Sequence, residues 1–213
     1  MILRRRLYWL FAILISPAVM TAQSGQQFGD LLTRIWAGEQ QAQAKFTTAC
    51  GTVTETRTSK LIVKPMVLHG RFCAQGTDRF MLEYTEPNPM RIRFNENFLN
   101  LTAGGKTEVL DVGPDVRHAQ SSYSGANSLE TLKNDFTVTA QENSHDFEMK
   151  LVPRTQALHR KLNYLVVKLD KRDFLPRSLE VDSKSGVNSV FTFDITSVGT
   201  KLPEDTFEVR KIK

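Results

Sequence analysis

The stretch "GRFCAQGTDRFMLEYTEPNP", residues 70–89, decides how the chain is read. It breaks at Gln75-Gly76-Thr77-Asp78 into two extended runs around a tight turn, where glycine and aspartate tolerate the backbone angles a turn needs. It ends on Pro87 and Pro89, which cannot donate to a sheet ladder and so close the second run. Within that run Phe80, Leu82 and Tyr84 fall on one face, and Arg79, Met81 and Glu83 on the other. Successive side chains of a strand point to opposite faces, so a row of large rings at every second position predicts a sheet with one face hidden from water.

The same period of two runs outward in both directions. "PMVLHGRF" sets Met66, Leu68 and Phe72 against Val67, His69 and Arg71; "MRIRF" sets Met90, Ile92 and Phe94 against Arg91 and Arg93. "FEMKL" sets Phe147, Met149 and Leu151 against Glu148 and Lys150, and "VFTFDI" sets Phe191, Phe193 and Ile195 against Thr192 and Asp194. Turn chemistry separates the runs at residues 103–106, 113–115, 171–173 and 183–186. Only two stretches carry helical spacing. One holds Phe28, Leu31, Leu32, Ile35 and Trp36; the other holds Leu129, Leu132 and Phe136 behind Ser128 as N-cap. Two short helices cannot cover about ten strands laid flat, so the sheet is expected to curl around them. The expected fold is mainly β (α+β): a strongly curved antiparallel sheet forming an open half-barrel, with a helical lid or plug.

The first residues read as an export signal. Arg4, Arg5 and Arg6 precede an apolar run at residues 7–15, and small residues follow at Ser16, Ala18, Ala22 and Ser24. The run is shorter than the ~20 residues of a membrane-spanning helix. Residues 1–22 are therefore expected to be a cleaved signal peptide, cut between 18 and 24, and residues 23–213 a single exported domain. No cysteine stands near the cut, so the chain is not expected to carry a lipid anchor of its own. Removing the three arginines lowers the formal net charge from +5 to +2, which withdraws the nucleic-acid reading that a pI near 9.3 invites. In an oxidising compartment Cys50 and Cys73 either pair across neighbouring strands or stay as two free buried thiols. A bond between them belongs on the wet face, and requires Phe46 to point outward or a bulge to intervene.

No constellation for chemistry stands out. There is no Gly-x-Ser-x-Gly elbow, His-Glu-x-x-His pair or phosphate loop. His69, His118, His145 and His159 are scattered without ligand spacing, and the carboxylates are read as solvated groups on strand exteriors and turns. No enzyme activity, metal or cofactor is expected.

The order of these segments resembles the periplasmic lipoprotein carrier LolA and its wider LolA-like group. The likeness runs through most of the exported chain: the amphipathic opening helix, "AKFTTACGTV", Gly70 opening a strand, Arg79-Phe80-x-Leu82-x-Tyr84, Pro87 ahead of "MRIRFNENFLNL", "HDFEMKLVP", "LNYLVVKLDKRDFLPRSLEV" and "VFTFDITSVGTKLPEDTFEV". Two places differ. Gln75-Gly76-Thr77-Asp78 stands where the family carries a basic residue and proline, and Phe46-Thr47-Thr48 stands for its Phe-x-Gln. The resemblance implies an apolar cavity in a half-barrel, closed by helices, that takes the acyl chains of a lipoprotein or another lipid-linked molecule. Its partners would be that cargo, an inner-membrane exporter and an outer-membrane receptor or insertion machinery, with the carrier a periplasmic monomer. The expected cavity lining is Phe72, Phe80, Leu82, Tyr84, Met90, Ile92 and Phe94, and the expected lid is Leu31, Leu32, Ile35, Trp36, Leu129 and Leu132. Residue pattern alone leaves a filled core as the alternative for that lining. The alternative role is a LolA-like or RseB-like lipid-sensing or regulatory module docked on a membrane partner.

Overall fold

The computed structural model describes residues 19–76, 79–95, 98–111 and 128–209. Most of the predicted export segment, the turn at 113–115 and His118 lie outside the described residues. Eleven antiparallel strands form one curved, unclosed sheet: β1 (Thr48–Ser59), β2 (Met66–Gln75), β3 (Arg79–Glu86), β4 (Met90–Asn95), β5 (Phe98–Ala103), β6 (Lys106–Asp111), β7 (Phe136–Glu142), β8 (Asp146–Pro153), β9 (Leu162–Asp170), β10 (Pro176–Ser183) and β11 (Val187–Val198). Their order is β6-β5-β4-β3-β2-β1-β11-β10-β9-β8-β7. Two meanders, β1 to β6 and β7 to β11, are thus joined where the first strand pairs with the last. The turns at 103–106, 171–173 and 183–186 each connect strands as expected.

Opposed residues share a face, and the registers carry one apolar face across the whole sheet. Leu101, Ile92, Leu82 and Phe72 form one continuous row that reaches Gly51 and Ile195. Beyond β11 the same face continues through Leu179, Val167, Met149 and Ala140. Two glycines sit at the bulges that bend it. A Cβ at Gly51 would lie 1.9 Å from the Asp194 carbonyl oxygen, and one at Gly70 would lie 2.2 Å from that of Glu83. Registers shift beside both, between Cys50 and Gly51 and between His69 and Gly70.

Helix α1 (Val19–Lys45) lays Leu32 and Ile35 on this inner face, and α2 (Leu129–Asp135) adds Leu132. Ser128 caps α2 as expected, its hydroxyl accepting from the Thr131 amide. These residues form the core with Phe136, Val138, Phe147, Met149, Leu151, Leu165 and Leu169, all on β7 to β9. A short helix α3 (Gln156–His159), which the pattern did not reveal, places Leu158 in the same core. Cys50 and Cys73 are opposed in register and bonded. They share the outer face with Thr48 and Thr52. Phe46 raises no conflict, because it precedes the first residue of β1.

Candidate functional site

The inner face has two unlike halves. Over β7 to β9 it is filled: Leu32, Ile35, Leu132, Phe136 and Leu151 are at most 2% exposed. Over β2 to β5 and β11 the same face is also lined by large apolar side chains but is less completely covered. Phe72, Phe80, Leu82, Ile92, Leu99, Leu101, Phe191, Phe193 and Ile195 are all of intermediate exposure. The rings are already matched to one another. Phe80 stacks on Phe94 with centroids 5.6 Å apart, and Phe72 meets Phe193 edge-on at 5.0 Å. That second contact crosses β1 beside Gly51, which presents no side chain there.

All seven residues of the expected lining fall on this one face, in three adjoining registers of β2, β3 and β4. Two of them are not available in full: Phe94 is 3% exposed and Tyr84 1%. The expected lid lies elsewhere. Leu32, Ile35 and Leu132 are core residues over β7 to β9, with Leu31, Trp36 and Leu129 packed around them. Chain connectivity is the reason: α2 runs directly into β7 at Phe136, and α1 packs on that same strand.

Tyr84 is also not simply a ring. Its hydroxyl donates to Glu55 Oε2, while Arg57 Nε and Nη2 donate to the two Glu55 oxygens at 2.9 and 3.0 Å. Glu55 is 1% exposed, so the pair and the phenol compensate a charge held within an apolar wall. Burial, and then the neighbouring carboxylate, push the Tyr84 phenol well above its usual range. The reading of carboxylates as solvated groups fails at Glu55. The signal for it was in phase: Val53-x-Glu55-x-Arg57 occupies the inner face, and the positions alternating with them, 52, 54, 56 and 58, are threonines. A second carboxyl, Glu39, follows Leu32 and Ile35 on the buried side of α1 and is partly buried; desolvation pushes it up to about 7.

The outer face is polar and partly dressed. Glu83 accepts from Arg71 Nε at 2.5 Å and Arg91 Nε at 2.8 Å, which holds its carboxyl below the ordinary value despite some desolvation. A 3-10 helix (Glu204–Phe207) packs Phe207 over β3 and β4, where Met81 is 8% exposed. It borders a cleft of about 570 Å³ walled by Gln75, Arg79, Asn95, Pro203 and Phe207, among others. Asn100 and Thr102 bond to each other, with Asn100 5% exposed. Among the described residues, no three His, Cys, Asp or Glu side chains are placed to hold a metal ion.

The chain is similar in fold to solved LolA-like structures. A LolA superfamily protein from Nitrosomonas europaea matches at 11% identity and a TM-score of 0.43, over 83% of this chain and 97% of that one. A chain of the Pseudomonas aeruginosa MucA/MucB complex matches at 12% and 0.49, over 82% and 60%. The Mycobacterium tuberculosis lipoprotein LppX matches at 10% and 0.44, over 82% and 98%. No protein-family model matches the sequence, and no curated protein matches it. His69, His145 and His159 are all exposed, so none is set into the inner face.

Proposed function

We propose that the chain is an exported, non-enzymatic carrier that binds acyl chains of a lipoprotein, or of another lipid-linked molecule, and delivers them toward the outer membrane. One observation carries this reading: the inner face over β2 to β5 and β11 is lined by large apolar side chains like the core beside it, yet these stay partly exposed. Each methylene buried there would contribute about 0.8 kcal/mol, so ten would supply about 8 kcal/mol without a polar contact. The buried helices act as a wall beside the cargo rather than as a lid that must lift, because Leu32 and Ile35 are already locked into β7 to β9. The Cys50–Cys73 bond suits the oxidising periplasm.

Native mass spectrometry of the protein recovered from a Gram-negative periplasm tests the reading. The expected result is a population carrying acylated lipoprotein or lipid, lost in Leu82→Arg/Ile92→Arg. Protein that never carries an acylated species, in cells or when offered one in detergent, would sink it.

A further inference from the structure

The hairpin between β1 and β2 ends in a tip whose aliphatic side chains are exposed among the described residues. Leu61 is 92% exposed and Val63 101%, and Ile62, Met66 and Val67 beside them are 37 to 42% exposed. Isolated exposed aliphatics are ordinary, but Leu61, Ile62 and Val63 are consecutive on one loop, with Met66 and Val67 opening β2 beside them. The tip is shaped rather than slack: the Leu61 amide donates to Ser59 Oγ and the Ile62 amide to the Ser59 carbonyl, both at 3.2 Å.

The charges on the tip itself are all of one sign. Lys60 and Lys64 bracket the three aliphatics, and residues 56–68 contain no Asp or Glu. Glu55, next along β1, is buried and engaged by Arg57 and Tyr84. Ser59 pairs with Val187, so the turn at 183–186 lies at the same end of the sheet. There the Lys184 amide donates to the Lys161 carbonyl, which adds two further exposed lysines beside the partly buried Asp182, itself bonded to Asn163. We infer that this tip docks the protein on an anionic lipid bilayer, with Leu61, Ile62 and Val63 entering the acyl boundary and the lysines resting among the phosphates.

The chemistry favours a bilayer over a folded partner. Three aliphatic side chains are far short of the roughly 800 Å² per side that a stable protein interface needs. The tip has no aromatic residue or arginine of its own, the side chains that anchor protein interfaces. Lysine ammonium groups around a small apolar wedge suit a fluid array of headgroups, which needs no fixed geometry. Met66 and Arg57 oppose each other in register on the inner face just behind the tip, so docking would bring that end of the inner face to the membrane surface. The docking does not depend on what the inner face binds.

A probe at the tip tests this locally. The two native cysteines are bonded, so Val63→Cys in the full chain offers one site for a nitrobenzoxadiazole label, with Thr196→Cys on β11 as the comparison. With vesicles of phosphatidylcholine containing phosphatidylglycerol, the label at 63 should shift to the blue and brighten, while the label at 196 should not. Lys60→Gln/Lys64→Gln should weaken the titration by about 25-fold, about fivefold for each lysine, and raised salt should weaken it further. A label at 63 that stays water-exposed on these vesicles overturns the assignment, as does a tip that enters phosphatidylcholine alone with equal affinity. A label that reports burial only when a protein is added would replace the bilayer with a protein partner.

Discussion

Glu55 is a buried carboxylate on the inner face, and each of its oxygens is engaged. Removing one partner from a buried charge costs more than the bond itself contributes, because the remaining group stays desolvated. Tyr84→Phe should therefore lower stability by about 1–3 kcal/mol in urea unfolding, although the ring and its packing are kept. A fall within a few tenths of a kcal/mol would show that water or another group satisfies Glu55. Glu39 behaves in the opposite sense. Its folded-state value near 7 lies above the ordinary carboxylate value of 4.5, so the fold favours the neutral form. That carboxyl costs nothing below the unfolded value, and the penalty builds as pH rises from there to about 7, above which it is constant. Stability should thus decline between about pH 4.5 and 7, by up to about 3 kcal/mol, and Glu39→Gln should flatten that part of the profile. An unchanged profile in the variant would mean that Glu39 is solvated. Both residues sat in plain alternation or helical phase, at i+2 from Val53 and at i+4 from Ile35. Composition suggested that a carboxylate would be wet; phase told otherwise.

At the level of the elements, period two assigns faces well and partners poorly. Phe72, Phe80, Leu82, Met90, Ile92 and Phe94 could be placed together because β2, β3 and β4 are consecutive and their turns are short. The pairing of β1 with β11 joins residues from Ala49 with Val198 to Ser59 with Val187, far apart in the chain, and nothing in the local pattern of either strand names the other. The helices show the same limit. Amphipathic spacing identified the buried side of α1 and α2, but not which half of the sheet each would cover. That is set by the direct run of α2 into β7. The two halves should respond differently to truncation. Leu32→Ala opens a cavity in a filled core and should cost about 2–5 kcal/mol. Phe80→Ala removes a partly exposed ring and should cost distinctly less, while weakening acyl-ligand binding. Equal stability losses would mean that β2 to β5 face a packed core and not a binding surface.

For the whole molecule, one continuous apolar face is used in two ways. Half of it holds the fold together through α1, α2 and α3. The other half is left part-covered, with a buried Glu55–Arg57–Tyr84 cluster set into it and the lysine-flanked tip at one end. The Cys50–Cys73 bond and the 3-10 helix brace the outer side of the strands that carry this second half. A face of this kind can exchange an acyl chain for water without dismantling the core, which is what a carrier requires: bound and empty states separated by only a few kcal/mol. The most direct measurement is photolabelling with a lipopeptide that bears a diazirine on its acyl chain, followed by peptide mapping. Labels are expected on inner-face positions of β2 to β5 and β11, among them Phe72, Leu82, Ile92 and Phe193. Labels confined to the outer cleft around Arg79 and Phe207, or no labelling at all, would contradict it.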